Sequence, residues 1–438
     1  MALLPAFALA LLAAPALAAP PTAAERTMIA TVDADQARTL ALLEKAVNQN
    51  SGTRNLAGVK AVNDMLAPEF AALGFAVRWV PQDAVGRAGH LIATHKGKPG
   101  RKRLLLIGHL DTVFEGDSPF QKFERVDADT ARGPGVEDDK GGVAVMLAAL
   151  RAMSKAGTLK GANIEVVLTG DEEEVGQPTT TSRADLVAAG KRADAALDFE
   201  GLAQEQGADG QPKDMGSIAR RSSSNWNLTV EARSGHSSGI FSDYAGDGAV
   251  YALARILAAF RAELPEPNLT FNAGLVAGGA TAALGADQAR AAATGKTNII
   301  AAAALARGDL RALSPEQIAR VEAKMQGIVA RHYPGAKATL TFEHKYPPMA
   351  PTAGNRALLA RLNGVNATLG LPAMGELDPL KRGAGDIAFV AGDVDGLIGL
   401  GPAGDGSHTP AETVDIPSIW RQAKRAALLM SRLAAEKR

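Results

Sequence analysis

The chain has 438 residues, 47 Lys plus Arg against 47 Asp plus Glu, 46% hydrophobic residues and no cysteine. The balanced charge excludes the strongly basic surface of a nucleic-acid binder. The missing cysteine excludes disulfides and thiolate ligands, so any metal must be held by His and carboxylates, a donor set that suits zinc or a similar ion.

The N-terminus carries an apolar run from Leu3 to Leu12, then Ala16-Leu17-Ala18, a small-residue cleavage pattern. Residues 1–18 are expected to be a signal peptide directing the chain to the periplasm or outside, although no Lys or Arg precedes Arg26. Pro5, Pro15 and Pro20 interrupt a run too short to span a bilayer, and no later stretch is long and apolar enough. No membrane association is expected after cleavage.

Val32 to Leu73 patterns as helix with a break near Ser51-Gly52. Phe75 to Val80 alternates like a strand, and Leu91 to His95 is a second short one. Leu104-Leu105-Leu106-Ile107 is a continuous apolar run that stops at Gly108-His109-Leu110-Asp111-Thr112-Val113. Such a run reads as a strand buried on both faces. Gly141-Gly142-Val143 opens a helix through Met153. Ile164 to Thr169 is the next buried strand and runs into Gly170-Asp171-Glu172-Glu173-Glu174. A helix follows over Ala184 to Gly190 and a strand over Ala195 to Phe199. Strands alternating with helices predict a mostly parallel α/β sheet, whose sites lie at the carboxyl ends of the strands.

The texture then changes. Asn225 to Ala232 alternates as a half-exposed strand, and Ala249 to Phe260 is an amphipathic helix. Strands follow over Leu269 to Val276 and within Asn298 to Leu310. Ser314-Pro315-Glu316 starts a helix, and Ala338 to Phe342 is a strand. The order β-α-β-β-α-β predicts a ferredoxin-like α+β insert. Beyond Tyr346-Pro347-Pro348 come a helix from Asn355 to Leu369, a strand near Gly396 to Leu400 and a last helix from Ile416 to Ala434. The catalytic domain is therefore expected in two parts, 19–220 and 344–438, around a lid over 221–343. A flexible Ser222-Ser223-Ser224 entry and the connection through Pro347-Pro348 read as a hinge that lets the lid close on substrate.

Candidate ligands end these strands: His109 and Asp111, Asp138 and Asp139 in the glycine-rich stretch Arg132 to Gly142, Glu172 to Glu174, Asp198 and Glu200, and His408 after Gly404-Asp405-Gly406-Ser407. Clustered carboxylates repel one another unless a cation neutralises them. Two ions sharing a carboxylate can activate a water and polarise a carbonyl, while a carboxylate that binds no metal moves the proton. His90, His95, His332 and His344 fit no such cluster and read as loop or surface histidines.

Gly108 to Val113, Asp138-Asp139-Lys140-Gly141-Gly142, Asp171-Glu172-Glu173, Phe199-Glu200 and Gly406-Ser407-His408-Thr409 together resemble peptidase family M20, in order and over nearly the whole chain. The resemblance implies a two-zinc amidohydrolase, with cobalt an alternative ion, that releases a terminal amino acid from a small peptide or N-acyl amino acid. A glutamate-carboxypeptidase-like exopeptidase is the first expectation and an aminoacylase or dipeptidase the second; a non-catalytic metal or peptide binder on this fold is the alternative of another class. It also implies that His109, Asp138 and Glu200 hold one ion and Asp138, Glu173 and His408 the other. Asp198 could replace Glu200, and Asp139 could replace Asp138. Glu172 would be the base and Asp111 would orient His109. In the lid, His236 of Ser234-Gly235-His236-Ser237 would steady the oxyanion, and Asn298 of Thr297-Asn298-Ile299-Ile300 would contact substrate. Gly383-Ala384-Gly385-Asp386 departs from the family's Gly-Gly-Thr-Asp, and Arg382 beside it is the candidate for the substrate carboxylate. A homodimer through the lid is likewise implied.

Overall fold

Apolar runs with no polar alternation form the centre of the larger sheet in the computed structural model, which describes residues 20–438. The signal segment expected over 1–18 lies outside the described residues. The strand order is Ala76–Gln82, Arg87–His95, Asn163–Thr169, Arg103–His109, Ala195–Asp198 and Gly396–Leu397. The last four are parallel, and the first two form an antiparallel wing on one side. Leu106 sits opposite both Val166 and Leu197.

Successive residues of a strand serve opposite faces. Leu104 and Leu106 join the cluster of helices Lys140–Lys155 and Ile416–Ala434, whereas Leu105 and Ile107 meet Leu186 and Ala189 of helix Ala184–Arg192. Helix Lys140–Lys155 is buried almost all round because helices Ala23–Ala34, Gln36–Val47 and Ile416–Ala434 pack against it besides the sheet. The parallel strands deliver His109, Thr169 and Asp198 to one rim.

The inserted unit is a sheet of antiparallel strands in the order Leu275–Gly279, Ala303–Arg311, Ser223–Ala232, Ala336–Tyr346. Helices Gly248–Glu263 and Pro315–Val329 pack on it, which completes the ferredoxin-like arrangement. Trp226, Leu228 and Val230 alternate inward and meet Ile256, Phe260, Val321 and Met325. Ser314 caps the second helix by accepting the Gln317 N–H at 3.2 Å, with Pro315 in the first turn. The strand expected over Leu269 to Val276 is split into Thr270–Phe271 and Leu275–Gly279.

The chain crosses between the two units twice, and the crossings pair with each other. The Arg220 N–H donates to the Met349 carbonyl at 2.9 Å, and the Met349 N–H to the Arg220 carbonyl at 2.8 Å. The expectation of a flexible Ser222-Ser223-Ser224 crossing is corrected. Ser222 and Ser224 are 0% and 1% exposed, and the Ser222 Oγ accepts the Ala312 N–H at 3.0 Å. Ser223 already begins the central strand of the insert, so its neighbours are tied by ladder bonds.

A small antiparallel sheet joins chain segments far apart in sequence. Its strands are Gly404–Asp405, Thr413–Asp415, Thr130–Arg132 and Glu124–Arg125, with Thr413 opposite Arg132. It lays the loop over 406–412 beside the glycine-rich loop over 133–139.

Candidate metal centre

His109 ends its strand with a ring fixed from behind. Its Nδ1 lies 3.1 Å from the Asp111 carbonyl and 3.4 Å from the Asp111 carboxylate. That carboxylate also accepts from Thr53 Oγ1 at 2.7 Å and from the N–H groups of Glu172 and Glu173 at 3.0 and 3.1 Å. Asp111 thus sets the ring and the acidic loop together, as a group behind a ligand does.

Nε2 of His109 faces Asp138 Oδ1 at 2.9 Å, and the other Asp138 oxygen faces His408 Nε2 at 3.2 Å. The same His408 nitrogen lies 3.1 Å from Glu173 Oε2. Asp138 therefore stands between two imidazoles, and one ligand atom each of His109, Asp138 and Glu173 lie within 4.8 Å of one another. His408 holds this place with φ 65°, a left-handed backbone that costs a non-glycine residue about 1–2 kcal/mol.

Asp139 turns the other way and accepts the His109 N–H at 3.1 Å. A Cβ on Gly142 would meet the Asp139 carboxylate and the Phe199 carbonyl, so only glycine lets the helix start this close to the rim. Glu412 grips the glycine-rich loop from the small sheet, accepting the N–H groups of Gly135, Glu137 and Asp138 at 3.0, 3.0 and 3.1 Å. Nothing local in the sequence marks Glu412.

Glu200 is not drawn into the His109 cluster; its carboxylate pairs with Arg220 at 2.5 Å. Asp198 accepts the Glu200 N–H at 3.1 Å, and its second oxygen, like Asp139 Oδ1, has no hydrogen-bond partner among the described residues. Arg382 lies beside this group, 4.0 Å from Glu200, and donates to the Gly201 carbonyl at 2.7 Å. His236 and Asn298 are exposed on the insert, next to each other, with the Ser237 N–H donating to the Asn298 carbonyl at 2.9 Å. The structure does not join these two to the cluster; the His236 ring bonds to Ser238.

One histidine corrects the sequence reading. His90 is 1% exposed, not a loop or surface residue. Its Nδ1 accepts the Gly170 N–H at 3.2 Å and its Nε2 faces the Ser182 carbonyl at 2.8 Å, so it holds the start of the acidic loop.

The buried acids fit a cation-binding role. Asp138, Asp139, Asp198, Glu200, Glu172 and Glu173 crowd one rim, where Asp139 Oδ1 has no hydrogen-bond partner and Asp198 Oδ2 has only the Arg220 guanidinium at 3.8 Å. Without a cation, protons take its place. Burial and then the Asp138 charge raise Glu173 to about 7, burial and Glu200 raise Asp198 to about 7, and hydrogen bonds to Asp138 and Glu173 raise His408 to about 11.

A pH dependence follows. Above about pH 5 the unfolded chain has released its carboxylate protons, while the folded, metal-free protein keeps those of Glu173 and Asp198 until about pH 7. A raised folded value gives stability that is lost as pH rises through it. The chelated protein is expected to melt at a lower temperature at pH 7 than at pH 5, and added zinc is expected to restore it by displacing the protons. Lys140, lowered to about 7 by burial, opposes this trend only above that pH. Thermal melts with and without chelator decide; a midpoint that climbs over this range contradicts the assignment.

Acids and imidazoles arranged around a rim in this way belong to the metal-dependent peptidases and amidohydrolases. The chain is a member of peptidase family M20/M25/M40, whose family model matches residues 105–432. It is 27% identical over 418 residues to carboxypeptidase G2 of Pseudomonas sp. (strain RS-16), covering 92% of this chain and 91% of that protein. It is 31% identical over 206 residues to succinyl-diaminopimelate desuccinylase of Leptothrix cholodnii, 45% of this chain and 51% of that one. Among solved structures, aminopeptidase PepT from Bacillus cereus superposes with TM-score 0.71 at 18% identity, covering 91% of this chain and 99% of that one. A dinuclear metal-binding peptidase of the M20 family from Bacillus subtilis gives TM-score 0.63 at 15% identity, covering 92% and 99%. These likenesses bear out the fold: a mixed α/β catalytic unit with an inserted α+β unit.

Proposed function

We propose that the protein is a di-zinc exopeptidase that releases a C-terminal amino acid, glutamate first among them, from a small peptide or N-acyl amino acid. The observation that carries this reading is Asp138 between His109 and His408, with Glu173 on the second imidazole and Glu172 next to it in sequence. Similarity to carboxypeptidase G2 over 92% of this chain supports cleavage at a C-terminus. His109, Asp138 and Glu200 would hold one ion, and Asp138, Glu173 and His408 the other. Such ions supply a polarised carbonyl and a more acidic water.

The remaining work belongs to the chain. Glu172 is raised by burial and by the Glu200 charge, which suits a carboxylate that takes a proton from water and gives it to the leaving amine. Asp111 keeps the base and the imidazole in register through its four contacts. Arg382, only 18% exposed beside Glu200, is the side chain for the substrate carboxylate. His236 and Asn298 would serve substrate from the insert once it closes. Dimerisation through the insert is part of this reading, supported by exposed Phe241, Tyr244, Tyr251 and Val276 on its outer surface, with the Phe241 and Tyr251 rings 5.8 Å apart. Export with loss of residues 1–18 completes it.

A hydrolysis panel tests the proposal. N-acyl glutamates and dipeptides ending in glutamate are expected to be the best substrates, with activity lost on chelation and restored by zinc or cobalt. Fastest turnover of other N-acyl amino acids or of free dipeptides moves the assignment to aminoacylase or dipeptidase. Stoichiometric zinc without hydrolysis across the panel overturns it.

A further inference from the structure

The acidic loop that carries Glu172 is held at four backbone groups by side chains of the catalytic unit. The N–H groups of Glu172 and Glu173 go to Asp111, the Asp171 carbonyl accepts from Arg183 at 3.1 Å, and the Glu174 carbonyl accepts from Arg87 at 2.7 Å. The Glu172 carbonyl is the exception. It accepts the hydroxyl of Tyr346, the last residue of the insert's edge strand.

Tyr346 is built to stay there. Its ring packs at 5.3 Å on Phe389, which in turn lies under the Arg183 guanidinium at 5.5 Å. Three residues later the chain enters the paired crossing at Met349, and the opposite strand of that crossing sends the Arg220 guanidinium to Glu200. Both strands of the neck therefore reach the rim, one at a proposed ligand and one at the backbone of the proposed base. A carbonyl held by a hydroxyl fixes the rotation of its peptide plane, and with it the direction in which the neighbouring side chain leaves the backbone.

We propose that Tyr346 is a positioning residue: its hydroxyl sets the Glu172 peptide and links the orientation of the insert to the aim of the base. This rests on Glu172 being the base. Crossings paired at Arg220 and Met349 would pass a rotation of the insert to Tyr346, so that closure over substrate and alignment of Glu172 become one event.

Tyr346→Phe tests this, because it keeps the ring on Phe389 and removes only the hydroxyl. The expected result is a two- to tenfold lower kcat, the size of one lost hydrogen bond, with KM and bound zinc unchanged. Hydrogen exchange at the amides of residues 172–176 is expected to speed up by a similar factor, while the core of the insert stays protected. In the Glu172→Gln background, Tyr346→Phe is expected to lower the residual kcat no further. Unchanged exchange at 172–176, unchanged kcat, or an additive loss in the double variant each overturns the proposal. Faster exchange in a protein whose wild type hydrolyses nothing would instead show the tether real and the hydrolase reading at fault.

Discussion

Glu172→Gln is expected to lower kcat by about 10²- to 10⁴-fold, the usual worth of a positioned proton-transfer group, with both ions still bound. Glutamine keeps the shape and the backbone contacts of Glu172 with Asp111 and Tyr346, so the loop stays in place. What is lost is the ability to accept a proton. The neighbouring variant Glu173→Gln is expected to behave differently, because Glu173 touches His408 and would lose metal along with activity. Metal analysis beside steady-state kinetics separates the two. A Glu172→Gln enzyme with near wild-type kcat removes Glu172 from the chemistry.

The largest stability effect is expected at Arg183. Its guanidinium bonds Asp171 at 2.6 Å and Asp386 at 2.7 Å, and the three side chains are 1%, 0% and 3% exposed. Thr169 adds a 2.5 Å bond to Asp386, and Asp171 holds the Gly176 N–H at 2.8 Å. Arg183→Leu strands two carboxylates in the interior, and breaking one buried pair already costs about 3–5 kcal/mol. Urea unfolding of the chelated protein should register a loss of at least that size. Changing Asp171 and Asp386 to apolar residues in the same chain should recover part of it, since no unpaired charge then remains. A loss under about 1 kcal/mol for Arg183→Leu would mean that solvent reaches the pair.

What could be read from the chain was what repeats locally. Leu104 to Ile107 was legible as a central strand because both faces are buried and no polar residue interrupts it, and Ile164 to Thr169 because its apolar residues bracket the single half-buried Glu165. Helix Ile416–Ala434 and the Ser314 cap were legible for the same reason, a periodic stripe and a terminal signal. The antiparallel wing was not, because strand direction leaves no mark on composition. Arg220 stood in plain view beside Arg221, yet its aim at Glu200 follows from the pairing with Met349, which joins residues more than a hundred positions apart. Glu412 had no local signal at all. His90 looked idle because its two partners, Gly170 and Ser182, lie on other segments. His109, Asp138, Glu173 and His408 were nameable as a group through the family resemblance; their spacing gave the rim but not the contacts.

The small sheet that pairs Thr413 with Arg132 carries a consequence for biosynthesis. It brings the last donor, His408, and the brace, Glu412, from the far end of the chain to a loop made much earlier. A ribosome-bound fragment ending before these residues lacks both contacts, and lacks helix Ile416–Ala434, which supplies a large share of the main core. The His408 and Glu412 contacts can therefore form only after the chain has been made past residue 412.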